Sequence, residues 1–159
     1  MKFDTIIRGG TVATAADTFT CDIAIKDGRI AALGNGLGTA DDIIDAQGKL
    51  VLPGGIDSHV HLDQPDTPDV VMADGFESGT RSAAFGGTTT LLPFCLQQRG
   101  QSLREAVKDY HAKAEGNCYV DVSFHLIITD PTDHVLGQEL PALIRDGYTS
   151  FKVFMTYED

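Results

Sequence analysis

The sequence predicts an α/β protein with a parallel sheet, preceded by a short all-β module. Three observations predict it. From Val51 onward, apolar β-branched runs alternate with segments of helical period, the pattern of strand–helix–strand units. Before that point the chain holds only short alternating strands and glycine turns. No G-x-G-x-x-G motif follows a first strand, which weakens the case for a dinucleotide-binding sheet. The alternation itself fits either a closed barrel or an open doubly wound sheet.

The module comes first. Residues Thr5–Arg8 and Thr11–Val12 read as strand. Cys21 to Lys26 alternates, with Ile23 and Ile25 on one face and Asp22, Ala24 and Lys26 on the other. Asp27-Gly28 is a two-residue hairpin turn, and Arg29 to Leu33 returns. A glycine-rich loop, Gly34 to Gly38, precedes a strand at Ile43–Asp45 and a turn at Gln47-Gly48-Lys49. The expected product is a small antiparallel sheet over residues 1–52.

Residues 53–159 carry the alternating part. Leu50 to Ile56 is a buried strand opening into Asp57–His61 and a polar loop through Asp69. Asp74 to Phe85 is a helix with Asp74 as cap, Phe76, Ala83 and Ala84 for burial, and Gly86-Gly87 as its stop. Thr88 to Phe94 is the second strand. Ser102 with Glu105 makes a capping box, and Leu103, Ala106, Val107 and Tyr110 form the apolar stripe of a helix to Ala114. Tyr119–Thr129 is the third strand, Val135–Asp146 the third helix, and Tyr148–Met155 the fourth strand.

Composition excludes several classes. Apolar content of 42% with 22% charged residues marks a folded chain rather than a disordered one. A net charge of −11 argues against a nucleic-acid partner, which calls for a basic patch. No run approaches the roughly 18 apolar residues of a membrane span, and Met1-Lys2-Phe3-Asp4-Thr5 has no signal-peptide core. Cys21, Cys95 and Cys118 are odd in number and widely spaced, so they read as free thiols in a reducing, cytoplasmic setting.

Two stretches carry chemistry. His59 and His61 are two residues apart, so on a strand both face one side and could share a metal; imidazole nitrogen suits zinc. The alternative is two polar residues on an exposed strand face. Lys152 sits between Phe151 and Val153 in an apolar run, where an ammonium is costly to bury. Its stem could lie along the sheet with the head in water. It could instead act as a neutral amine that captures carbon dioxide as a carbamate. Asp57 could orient a histidine or cap the strand end. His125 reads as a satisfied core histidine, and His111 and His134 as surface residues without a role. Ser58 and Ser150 show no base partner, so a serine-hydrolase reading is poor.

Taken together, Gly54-Gly55-Ile56-Asp57-Ser58-His59-Val60-His61, Gly86-Gly87-Thr88-Thr89-Thr90 and Ser150-Phe151-Lys152-Val153-Phe154-Met155-Thr156-Tyr157 resemble the dihydropyrimidinase/hydantoinase family of the amidohydrolase superfamily. The resemblance runs through essentially the whole chain. It implies a (β/α)8 barrel metallohydrolase preceded by part of a β-sandwich. Residues 1–52 would be the N-terminal part of the sandwich, and residues 53–159 the first half of the barrel. A whole barrel takes about 250 residues, so the remainder of the barrel would be needed as a partner.

The resemblance also implies a mechanism. Two divalent ions, expected to be Zn2+, share a hydroxide; His59 and His61 hold one ion, and carboxylated Lys152 bridges both. Tyr157 hydrogen-bonds the substrate and its oxyanion. Two later histidines and an aspartate of the eighth strand lie outside this chain, so the chain alone is expected to be inactive. The implied reaction opens a dihydropyrimidine or hydantoin ring to the N-carbamoyl amino acid, in a homotetramer. Asp63 stands where dihydroorotases carry an arginine, which disfavours a carboxylate substrate. The role of the Asp63-Gln64-Pro65 loop is open. Alternatives within the resemblance are an allantoinase, a cyclic imide hydrolase, or a non-catalytic dihydropyrimidinase-related scaffold.

Overall fold

A computed structural model describes residues 2–156, and the chain divides into two compact units, one up to Pro53 and one from Gly54. In the first, β1 (Lys2–Ala13), β2 (Thr18–Lys26), β3 (Arg29–Gly34) and β4 (Thr39–Asp45) form a sheet in the order β3-β2-β1-β4, and β5 (Leu50–Val51) also pairs with β1. Asp27 and Gly28 both adopt positive φ, 50° and 71°, as a tight hairpin between twisted strands requires.

The sheet is mixed, not antiparallel as expected. β1–β2 and β2–β3 are antiparallel, but β4 and β5 both run parallel to β1. The four residues after Gly34 do not close a hairpin onto β3. Gly36 and Gly38 take positive φ and carry the chain to the free edge of β1. Asp22 holds that path in place. Its carboxylate accepts the amide of Gly9, beside a bulge in β1, at 2.9 Å and that of Gly36 at 3.3 Å. This also corrects the expected alternation of β2, because Asp22 and Ala24 are buried along with Ile23. Cys21 and Ile23 pack with Val12 in the unit's core.

The second unit is a parallel sheet with helices between its strands. β6 (Gly55–Val60), β7 (Thr88–Leu96), β9 (His125–Ile127) and β10 (Phe151–Lys152) lie in the order β10-β9-β7-β6, with β8 (Asp121–Val122) also on β7. The third strand is thus two short pieces on one neighbour. The fourth is two residues long rather than eight, because β9 is its single pairing partner among the described residues. The sheet curls: the ring of His125 on β9 reaches across β7 to the Ser58 carbonyl on β6.

α1 (Phe76–Phe85) buries Phe76 and Thr80, while Ala84 is exposed. α2 (Leu103–Ala114) buries the four expected residues and Ala114. The Ser102 hydroxyl caps α2 by accepting the Glu105 amide at 3.4 Å. The third helix begins as a turn of π-helix, Val135–Glu139, in which the Leu140 amide bonds the Val135 carbonyl five residues back. α3 (Leu140–Arg145) follows. Pro141 has no N–H to offer the residue four back and its ring crowds that carbonyl, which favours the wider turn. Strand and helix faces meet in one core around Leu91, Cys95, Phe124 and Leu126. Cys21 and Cys95 are buried free thiols and Cys118 is half-buried; burial pushes the Cys95 thiol up to about 12. No described helix is long and apolar enough to cross a membrane.

One long-range contact sets α2 against the π turn. Glu139 is buried, and its carboxylate accepts the Ser102 hydroxyl and the Leu103 amide, each at 2.7 Å. Burial alone would raise its pKa. The Ser102 hydroxyl, the Leu103 amide and the nearby His134 outweigh that and hold it below the ordinary glutamate value. Glu139→Ala should therefore cost about 1–3 kcal/mol of stability near neutral pH, read by urea denaturation. The depressed pKa makes this contribution complete above the unfolded value and lost as pH falls through the folded one. The gap between variant and parent should accordingly narrow once the pH drops below 4.5, the ordinary glutamate value. A gap that is the same at neutral and acid pH contradicts this reading.

Candidate metal centre

Two glycine motifs build the frame of the site. The Gly55 amide donates to the Gly87 carbonyl at 2.9 Å, so the start of β6 is fixed to the turn before β7. A Cβ on Gly54 would lie 2.0 Å from the Thr89 hydroxyl oxygen, a distance that no side chain tolerates. The strand bearing the histidines thus needs glycine where it crosses Thr89.

The next feature is the Phe94 ring, buried on β7. His59 lies edge-on to it with centroids 4.7 Å apart, and His61 stacks on it at 4.9 Å and 28°. The two imidazole centroids are 5.4 Å apart. The Lys152 ammonium sits 4.4 Å from the same ring centroid and 5.1 Å from that of Phe154. The structure therefore brings His59, His61 and Lys152 to one aromatic floor. Staggered register delivers them: Val60 pairs with Pro93, Phe94 with His125, and Ile127 with Lys152. Phe94 escaped sequence reading because one phenylalanine in an apolar strand looks like any core residue.

Around this floor lies an open depression of about 550 Å³, bordered by Ser58, His59, Phe94, His125, Ser150 and Lys152. Lys152 is half-buried and its neighbours Phe151 and Val153 are exposed, so the expected burial in a full strand is not met. The ammonium instead rests on aromatic faces, an arrangement that suits a cation. Tyr157 lies outside the described residues.

His125 has both ring nitrogens engaged, Nε2 with the Ser58 carbonyl at 2.8 Å and Nδ1 with the Ser150 hydroxyl. With Nε2–H donating to the carbonyl, Nδ1 accepts from the serine, and no nitrogen is left for a metal. Ser150 thus has a histidine partner, contrary to the sequence expectation. Together these bonds tie β6 to the segment before β10.

Asp57 does not orient an imidazole. Its carboxylate accepts the backbone amide of His59 at 3.0 Å, where the pairing of β6 with β7 shifts register. Asp63, at φ 49°, caps α1 in place of Asp74: it accepts the Phe76 amide at 2.6 Å, whereas Asp74 accepts the Ser78 hydroxyl. The side chain of Gln64 faces back to His61, with its carbonyl oxygen 2.7 Å from Nδ1. His111 is bonded to Tyr148, and His134 lies 3.5 Å from Glu139.

Two exposed imidazoles lie side by side, tilted by 58°, and imidazole nitrogen is a donor type that zinc accepts; His61 has its Nδ1 bonded and its Nε2 as the remaining ring nitrogen. Among the described residues no group of three or more His, Cys, Asp or Glu could hold a metal ion. Any further ligand from these residues must be of another type, which gives Lys152 its interest.

This arrangement defines the class, an α/β protein with its candidate site at the carboxyl ends of parallel strands. Comparison with known proteins narrows it. No family model matches the chain. A D-hydantoinase of Streptomyces coelicolor is 48% identical over 99% of this chain and 34% of its own length. A dihydropyrimidinase of Rattus norvegicus is 39% identical over 97% of this chain and 31% of its own length. A solved D-hydantoinase structure superposes with a TM-score of 0.92 at 46% identity, covering 98% of this chain and 34% of that one. The chain belongs to the D-hydantoinase/dihydropyrimidinase family, and it spans about a third of the length of the curated relatives it matches.

Gly54→Ala should destabilise the protein by about 1–3 kcal/mol through overpacking against Thr89. The double variant Gly54→Ala/Thr89→Gly, which removes every Thr89 side-chain atom that the new Cβ would meet, should lose less stability in thermal melts than the two single changes summed. An unchanged melting temperature for Gly54→Ala contradicts the close approach.

Proposed function

We propose that the protein carrying this chain hydrolyses a cyclic amide, opening a dihydropyrimidine or hydantoin ring to the N-carbamoyl amino acid. The convergence of His59, His61 and Lys152 on the Phe94 ring carries the reading, and relatives named D-hydantoinase and dihydropyrimidinase support it. In this reading residues 1–52 belong to a β-sandwich and residues 53–159 are the first half of a (β/α)8 barrel. The parallel order and curl of β6 to β10 support the barrel. Cytoplasmic location and assembly as a homotetramer belong to the same reading.

His59 and His61 would give imidazole nitrogens to a divalent ion, zinc by donor type. The deprotonated Lys152 amine would add to carbon dioxide, forming a nitrogen–carbon bond and releasing a proton to solvent, and the resulting carbamate would supply anionic oxygen ligands. Bound ions of this kind acidify a water to near-neutral pKa and polarise a carbonyl. The Tyr157 hydroxyl donates to the carbonyl oxygen of the ring as negative charge develops there. Water adds across the ring C–N bond, and the leaving nitrogen takes a proton from an aspartate of the eighth barrel strand.

The test is metal content and ring opening of hydantoin and dihydrouracil. The full-length protein should hold two ions per chain and turn over at least one ring. Lys152→Ala and His59→Ala should each lose metal and reduce turnover by at least about a thousandfold, as removal of a metal-generated nucleophile predicts. Residues 1–159 alone should open neither ring. Full activity after Lys152→Ala contradicts the proposal.

A further inference from the structure

We infer that Gln64 is the positioning residue that fixes His61 as an Nε2 ligand. The inference rests on the metal reading above and extends it to a residue with no assigned role. His61 is held in two ways. Its ring stacks on Phe94 at 28°, which sets the plane, and its Nδ1 lies 2.7 Å from the Gln64 carbonyl oxygen, which sets the rotation within that plane. With the amide turned so that its carbonyl oxygen faces Nδ1, the bond forms only when Nδ1 carries the proton, which leaves Nε2 its lone pair. That is the tautomer a metal needs at Nε2, and acceptors of this kind also raise ligand basicity.

Gln64 itself is held by a firm base. The preceding Leu62 is buried at 2% exposure, lodged where Gly79 leaves no Cβ; one there would come within 2.4 Å of its Cδ2. Asp63 is pinned at three atoms. Its amide donates to the Asp74 carbonyl at 3.1 Å, its carboxylate accepts the Phe76 amide at 2.6 Å, and its carbonyl accepts the Lys113 ammonium at 2.8 Å. The left-handed φ of Asp63 turns the chain so that Gln64 points back at the residue three before it. Asp63 thus acts one step further out, by holding the base on which Gln64 stands.

The experiment uses the full-length protein and zinc alone as the probe. Zinc affinity, by competition with a chelator, should fall roughly 10–100-fold in Gln64→Leu. Gln64→Glu, which keeps an acceptor, should restore most of it, and both variants should melt like the parent. Histidine 15N spectra of the metal-free protein should show His61 protonated at Nδ1 in the parent and a mixture of tautomers in Gln64→Leu. Parental zinc affinity in Gln64→Leu, while His59→Ala abolishes binding, overturns the role of Gln64 and leaves the metal reading standing. A parent His61 protonated at Nε2 overturns it as well. A parent that binds no zinc overturns both.

Discussion

Everything proposed for this protein depends on the packing of polar side chains against one buried ring. Phe94 sits on β7, with β6 on one side and β9 and then β10 on the other. Each of those three strands brings a side chain to it: His59 from β6, with His61 just past its end, His125 from β9 and Lys152 from β10. An aromatic face tolerates both an imidazole edge and an ammonium, so the ring can gather groups that would otherwise repel or remain solvated. The His125 bridge adds directional bonds to the same arrangement. A change at Phe94 would therefore disturb every candidate ligand at once.

A second theme is the use of carboxylates on backbone amides. Asp22 holds the bulge at Gly9 and the crossing loop at Gly36; Asp63 caps α1 and Glu139 caps α2, each from a distant part of the chain. Charge-assisted bonds of this kind are stronger than neutral ones and favour helix N-termini. Part of the acidity of the chain, −11 overall, is thus spent on architecture. The one at Asp63 leads directly to the site, because it sets the turn that carries Gln64.

What could be read from the residues alone was what local rules govern. The Ser102 cap on the Glu105 amide, the stripe of α2, the Asp27-Gly28 hairpin and the shared side of His59 and His61 all depend on spacings of a few residues. What escaped was non-local. β4 pairs with β1 across more than thirty residues of chain, a choice that no strand pattern encodes. The cap of α1 comes from Asp63 rather than the adjacent Asp74, and the partner of Ser150 comes from β9. β10 was expected to be long because its residues are apolar, yet a strand forms only where a neighbour offers bonds, and β9 offers three residues. Tyr157 was singled out by resemblance and lies outside the described residues, so its role stands as a proposal.

Lys152 rests on Phe94 beside the two histidines, and the carbamate proposed there has its own spectroscopic signature. In 13C NMR of the full-length protein prepared with 13C-bicarbonate and zinc, one enriched carbamate resonance per chain should be present in the parent, absent in Lys152→Ala and lost on acidification as the carbamate releases carbon dioxide. A zinc-loaded, active protein with no such resonance, or with one that persists in Lys152→Ala, would contradict it.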